Sequence, residues 1–357
     1  MNRPLHKEAQ DASKNSSSHA GLWFDRFFNE YDDSWEVKPA SKLKWIDGIA
    51  GFVGDRAQLQ TFAKSQEELL AALDGQLLVM QSDWHFVTGL GNKHPVENGF
   101  AWHPTLGVPY LTGAAVKGLL RAWCEVWAGF DKARLLLWFG DTEQAGALIF
   151  FDAVPTGPVK LKADIMTPHY GDWYAKGGEK PKTDGSNAPA DWHDPVPVPF
   201  LVVDKGQSFR FSFASRTGND IDLAEVEKEL MEALQWLGAG AKTAAGYGRM
   251  QRNEKEEIRI RKEVEGGRAQ AEKEARQSSM SPLERELDGW SSSPENLAEQ
   301  EANGWLDRME KEPPEEGERI ALALKAFFEK TGRWSKPSKK QKDKNQRVKR
   351  ILERGDV

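Results

Sequence analysis

The run LGAGAKTAAGYGRM, from Leu237 to Met250, concentrates residue types that hold phosphate. Gly238, Gly240, Gly246 and Gly248 permit positive φ and let another chain come close to the backbone. Consecutive exposed N–H groups in such a loop can hold phosphate oxygens. Lys242 and Arg249 add charge, Thr243 a hydroxyl, and Tyr247 a ring for base stacking. Two nucleotide-binding patterns are excluded. A Walker A loop needs glycine directly before its lysine and another five residues earlier, where Ala241 and Trp236 stand. The dinucleotide pattern fails at Thr243, which occupies the place of its third glycine. Both patterns also follow a strand and open a helix, whereas this loop follows a helix.

A second segment, PYLTGAAVKGLLRAW from Pro109 to Trp123, reads as a helix start. Thr112 suits an N-cap, and Gly113, Ala114 and Ala115 leave the first turn open, so that its N–H groups form an anion site. Lys117 and Arg121, four residues apart on the polar face, can follow one phosphate backbone. A capped helix with solvated cations explains the same residues, and both readings stay open.

The seven histidines, at 6, 19, 85, 94, 103, 169 and 193, include no closely spaced pair, and there are no cysteine pairs. No metal or cofactor is therefore expected. His94 and His103 flank a Gly-containing loop where a general base for RNA cleavage could sit. Lys93 and His94, together with His169 and Tyr170, are further candidate RNA contacts. Asp83 and Asp141 read as structural or solvated acids.

The elements that must position these groups follow from periodicity. Ser65 with Glu68 reads as a capping box for a short helix at 65–73. Gln76 to Val87 reads as a strand. A helix from Thr112 follows, with Val116, Leu119, Leu120, Trp123, Val126 and Trp127 as its buried face. Ala147 to Phe151 is a short strand. A Pro-, Gly- and aromatic-rich insertion at 155–196 has little periodicity. Phe209, Phe211 and Phe213 alternate with Arg210 and Ser212, which predicts a half-buried strand. Asp222 with Glu225 opens a second helix, with a stripe of Leu223, Val226, Leu230, Leu234 and Leu237, and a last strand follows the glycine loop. Strand, helix, two strands, helix, strand is the ferredoxin-like order that RRM domains also use. The fold class is thus α+β with an antiparallel sheet, a long insertion and a C-terminal helical appendage.

The chain has 357 residues, of which 39% are hydrophobic, enough for a sizeable core. Residues 1–20 are polar and Ser-rich, read as disordered and lack the apolar core of a signal peptide. The folded part is expected at 21–253 and a charged helical appendage at 254–357. The net charge is −6, so any nucleic-acid contact must be local or shared with partners. The charge is uneven. Glu284 to Glu318 holds 12 acids and 3 bases, and Thr331 to Arg354 holds 10 bases and 2 acids. Solvated helix faces or a surface for RNA or a neighbouring subunit both fit these runs. Cys124 is the only cysteine, which excludes an intrachain disulfide and fits a reducing compartment. No apolar run reaches the roughly 18 residues a membrane helix needs, and a cytoplasmic location without membrane contact is expected.

Together the two segments resemble the RAMP superfamily of CRISPR proteins over roughly residues 76–250. The glycine loop resembles that family's signature loop, and the helix start its Pro-Gly-Ser-Ser and Lys-Gly motif. Here Thr112-Gly113-Ala114-Ala115 stands in place of Pro-Gly-Ser-Ser, so both serine hydroxyls are missing. GALIFFDAVP extends the match. DIMTPHYGDWY, with TGLGNKHPVENGFAWHPTLGVPYL, is similar to the sixth-named subunit family of the type III-B (Cmr) effector complex. The resemblance implies a non-catalytic subunit that binds guide crRNA near its 3′ end and helps position target RNA for antiviral defence. Its partners would be other Cmr-type subunits. On this resemblance the insertion could wedge into the guide–target duplex, with Tyr170, Trp173, Tyr174 and Trp192 stacking, while an ordinary long surface loop explains the same residues. The alternative is a metal-independent endoribonuclease that processes repeat RNA at His94 or His103.

Overall fold

The computed structural model describes residues 5–15, 18–171, 173–174, 182–190, 193–216 and 221–353. They pack as two units, 1–264 and 265–357. Residues 254–264 therefore go with the first unit rather than with the appendage.

The first unit is built on the expected order. Strand β2 (Gln76–Ser82) leads through the loop 83–112 to helix α4 (Gly113–Val126). A further helix, α5 (Lys132–Phe139), absent from the expected order, precedes β5 (Leu148–Phe150). Strand β9 (Ser208–Ser215), helix α6 (Leu223–Trp236) and strand β10 (Met250–Arg252) complete the set. The antiparallel sheet runs β10-β2-β9-β5, with β6 (Val154–Pro155) also paired to β9. This is the ferredoxin-like α+β arrangement. Thr112 caps α4 by accepting from the Ala115 N–H at 3.1 Å, and Asp222 caps α6 by accepting from Ala224 at 2.9 Å.

Both helices turn the expected stripes inward, buried or half-buried, with two exceptions. Val126 and Trp127 are 69% and 66% exposed, because α4 ends there and the chain turns away from the sheet. Cys124 takes the inward position instead, and burial pushes its thiol up to about 12. Trp123 reaches α6, where its indole N–H donates to Glu229 at 2.7 Å.

Strand β9 is buried on both faces rather than one. Phe209, Phe211 and Phe213 join the main core, and Arg210 and Ser212 are equally buried. Their face is covered by α3 (Arg56–Ala72), which supplies Gln66 to Ser212 and Glu67 to Arg210. Asp55, not Ser65, caps α3. Ser65 and Glu68 lie inside a helix that starts well upstream of the expected position.

The insertion is partly regular. Strand β7 (Val159–Met166) pairs with β8 (Val198–Val203) and with β1 (Gly51–Val53) in a second antiparallel sheet. Helices α1 (Ala20–Arg26) and α2 (Pro39–Ile49) bring Phe24, Phe28, Trp45 and Ile46 into the same core. A short hairpin, β3 (Lys93–His94) and β4 (Glu97–Asn98), lies in the loop after β2. Within the N-terminal segment, Lys14 donates to the Gly48 carbonyl at 3.0 Å.

After β10 comes α7 (Glu254–Ser279), in which the unit boundary falls. The second unit contains α8 (Pro282–Ser291), α9 (Glu295–Met309), α10 (Pro314–Lys330) and α11 (Lys339–Leu352). Its own core includes Leu287, Trp290, Leu306, Leu324, Phe328 and Val348. Ser281 and Glu284 form a reciprocal capping box at the start of α8. Among the described residues no helix is long and apolar enough to cross a membrane.

Candidate nucleic-acid interface

The two motif segments meet. Leu111, Ala115 and Leu119 line one side of a cleft of about 530 Å³, and Gly238, Gly240, Thr243, Ala244 and Arg249 line the other. Trp236 stands exposed at its rim.

The glycines have a more local cause than an approaching ligand. Beyond Ser82 the chain continues alongside the loop, which bonds to it repeatedly. Ala241 N–H donates to Val87 and Gly248 N–H to His85, both at 2.8 Å, and Ala239 N–H donates across the loop to Gly248 at 2.8 Å. A Cβ at Gly240 would lie 2.1 Å from the Val87 carbonyl oxygen, and one at Gly248 would lie 1.9 Å from that of Ala239. The protein's own backbone therefore fills the space that these two glycines leave. Gly246, at φ +90°, faces open space.

What stays open lies at the loop's tip. Among the described residues nothing accepts a hydrogen bond from the N–H groups of Gly240, Lys242, Thr243 or Ala244. Lys242 sits in the left-handed region at φ 58°, which costs a residue with a Cβ roughly 1–2 kcal/mol. Its Nζ lies 5.5 Å from the centre of the Phe200 ring on β8. Tyr247 donates its hydroxyl to Asp164 on β7 at 2.6 Å, so it anchors the loop to the second sheet. Burial and that carboxylate push the phenol up to about 12. The loop tip thus presents unbonded N–H groups with Thr243 and Arg249 in the cleft lining and Lys242 beside them, while Tyr247 is occupied in holding the loop.

The helix-start anion site is largely filled. Asp152 accepts from the Gly113 N–H at 2.7 Å, and Thr112 takes the N–H groups of Ala115 and Val116. Gly113 is itself buried, and a Cβ there would meet the Phe150 carbonyl oxygen at 2.2 Å. Its contribution is close packing on β5 rather than anion binding. Lys117 and Arg121 lie further along α4, outside the cleft lining. Arg121 reaches the Gly140 carbonyl at 3.4 Å and Glu125 at 3.9 Å.

The remaining candidates are scattered. Lys93 is exposed on β3. His94 beside it stacks on Phe24 at 4.1 Å, donates from Nε2 to the Phe24 carbonyl at 2.9 Å and accepts at Nδ1 from Val96 N–H at 3.2 Å. These two bonds fix the neutral Nε2-protonated ring and leave no nitrogen for RNA. His103 is buried, and its Nδ1 faces the N–H groups of Thr105 and Leu106 at 3.4 and 3.3 Å. Both rings hold turns, and neither is placed as the general base the endoribonuclease alternative requires. His169 is exposed and Tyr170 half-buried just beyond β7, with Tyr170 6.4 Å from Tyr174. Trp192 lies outside the described residues. Among the described residues no group of three His, Cys, Asp or Glu is placed to hold a metal.

Burial lowers the folded-state pKa of both His94 and His103. The unfolded chain, with rings near about 6.5, then binds more protons as the pH falls through that value. Stability contributed by the neutral rings is complete above that range and is lost from about pH 6.5 down to each lower folded value. The urea midpoint should therefore fall between about pH 7.5 and 5.5, and less steeply in His94→Gln. An identical slope in that variant would show that His94 contributes nothing to it.

Signals beyond the motifs come from the family comparison. Residues 78–251, which span β2 to β10 and the whole cleft, match the family model of the RAMP superfamily. Those residues are a RAMP-superfamily domain. The chain is 41% identical over 150 residues to the CRISPR system Cmr subunit Cmr6 of Pyrococcus furiosus, covering 40% of this chain and 42% of that protein. It is 27% identical over 177 residues to the Cmr6 subunit of Saccharolobus solfataricus, covering 48% and 54%. The chain spans about half the length of the curated relatives it matches. Among solved structures, the crystal structure of Cmr6 from Pyrococcus furiosus matches at 24% identity and TM-score 0.33, over 50% of this chain and 97% of that one. A chain of the type III-B Cmr-beta complex bound to cognate target RNA matches at 21% identity and TM-score 0.46, over 60% and 71%.

Proposed function

We propose that this chain is a non-catalytic RNA-binding subunit of a type III-B CRISPR ribonucleoprotein, working beside other Cmr-type subunits. In this reading the RAMP domain holds the guide crRNA near its 3′ end by its phosphates, and so helps position target RNA. Base pairing between guide and target would supply the sequence specificity. The observation that carries the reading is the tip of the glycine loop, where unbonded N–H groups stand beside Lys242 and next to the cleft-lining Thr243 and Arg249. The Cmr6 names of the relatives point the same way. An acidic chain whose phosphate contacts are local suits a guide path shared with partners better than tight binding alone.

Lys242 makes the test clean. Lys242→Gly removes the cation yet relieves the left-handed backbone, so the fold should lose no stability. Combined with Arg249→Ala, it should weaken repeat-derived RNA binding several-fold and reduce the salt slope by roughly 0.7 for each phosphate that is no longer neutralised. Fluorescence anisotropy across a salt series measures both. Unchanged affinity and slope would sink the assignment of this loop.

A further inference from the structure

The second unit holds a cleft that the RAMP-domain reading does not use. Helix α11 is strongly basic, with Asp343 its one acid, and has two different sides. On one side Val348 enters the core, and Arg347 reaches Asp307 and Glu310 of α9 at 2.8 Å. Arg333, just before α11, likewise reaches Glu299 at 2.8 Å. These two arginines thus meet part of the acidic run, while Arg308 and Arg319 meet Glu286, Glu312 and Glu284.

On the other side lies a cleft of about 470 Å³ lined by Trp334, Pro337, Lys342, Asn345, Lys349 and Arg350 among others, with Glu353 its single acid. Among the described residues Lys342, Lys349 and Arg350 form no salt bridge. The wall of the cleft is built rather than accidental. Trp334 N–H donates to the Phe328 carbonyl at 2.9 Å, and the Asn345 amide donates to the Arg333 carbonyl at 3.0 Å. Gln341 in turn donates to Asn345 at 2.9 Å, and both amides are buried. A buried, bonded pair of amides therefore fixes the loop that carries Trp334 against α11. Lys325 and Lys349 sit 5.9 and 5.6 Å from the Trp334 ring centre, so the ring lies in a positive field.

We propose that this cleft is a second, sequence-tolerant binding site for single-stranded RNA. Lys342, Lys349 and Arg350 neutralise backbone phosphates there, and Trp334 stacks one base. Positive charge beside a fixed aromatic wall is the combination that single strands use. Lys342 and Lys349 are two helical turns apart, about 10 Å, so they meet successive stretches of one strand rather than a single anion. An acidic protein surface would use the cations but has no use for the aromatic wall.

The test uses the full chain and a fluorescein-labelled oligouridylate, with the Lys242→Gly/Arg249→Ala loop variant as background, so that the two sites are scored separately. In that background, salt-dependent binding should persist. Adding Lys342→Glu/Lys349→Glu should lower affinity about tenfold or more and flatten the salt slope. Trp334→Leu should weaken binding at least about fivefold with the slope unchanged, and Trp334→Phe should recover most of that loss. Thermal melts of each variant identify any that fail to fold, and the paired charge variant, entirely on the surface, covers that case. Binding that is indifferent to Lys342→Glu/Lys349→Glu overturns the site whether or not the loop reading stands. Loss of a co-purifying protein subunit in that variant, with oligouridylate binding intact, overturns it in favour of a protein partner.

Discussion

Gly240→Ala is expected to destabilise the first unit by about 3 kcal/mol or more, against about 1–2 kcal/mol for Gly246→Ala. Both glycines have left-handed φ, +82° and +90°, so both pay the roughly 1–2 kcal/mol that a Cβ costs there. Only Gly240 pays more. Its new methyl would sit 2.1 Å from the Val87 carbonyl oxygen, which already accepts from Ala241 N–H. Relief requires moving that carbonyl, and moving it breaks the bond that ties the loop to the chain beyond β2. Overpacking of this kind costs about 1–3 kcal/mol beyond the backbone strain. Urea unfolding of the two variants measures the difference, and equal losses would mean that the loop yields freely. The distinction matters for function. Loss of RNA binding in Gly240→Ala reports a displaced loop, whereas Gly246→Ala probes the open tip.

The parts of this molecule that are legible in the sequence are those governed by neighbours along the chain. Thr112 and Asp222 announce their helices because a cap acts within three residues. The alternation of β9 and the stripes of α4 and α6 suffice to order the ferredoxin-like elements. What escapes depends on distant partners. Strand β7 alternates, but it is recognisable only once β1, more than a hundred residues earlier, pairs with it. Arg210 and Ser212 look solvent-facing because their partners Glu67 and Gln66 lie more than 140 residues earlier in the chain. Ser65 and Glu68 satisfy a capping pattern inside a helix that Asp55 has already begun. At the site, the glycines are visible while their cause is not, since the carbonyls of Val87 and Ala239 fill the space that Gly240 and Gly248 leave. His94 looks available because its partner Phe24 lies 70 residues away. Its reassignment from an RNA contact to a turn-holding ring rests on that bond.

Glu67→Ala is expected to cost the first unit about 3–5 kcal/mol. Arg210 lies at the centre of the sheet on β9, 2% exposed, and donates to Glu67 at 2.7 Å. Its Nε is buried with no acceptor, so Glu67 provides most of what compensates the charge. Burial already lowers the Arg210 pKa, yet a guanidinium still cannot shed its proton at neutral pH. Removing the carboxylate therefore strands a buried cation, while removing both charges need not cost anything of that size. Glu67→Leu with Arg210→Met should accordingly keep most of the parent's stability, so that the cycle through the Glu67→Leu and Arg210→Met singles shows strong coupling in urea midpoints. A loss below about 1 kcal/mol in Glu67→Ala would instead mean that water reaches Arg210 once α3 loosens. The pair lies on the α3 face of the sheet, and the glycine loop is held by bonds to 85–87 and Asp164. Folded Glu67→Ala protein should thus bind RNA with the affinity of the parent chain, so that a stability defect and a binding defect can be told apart in one molecule.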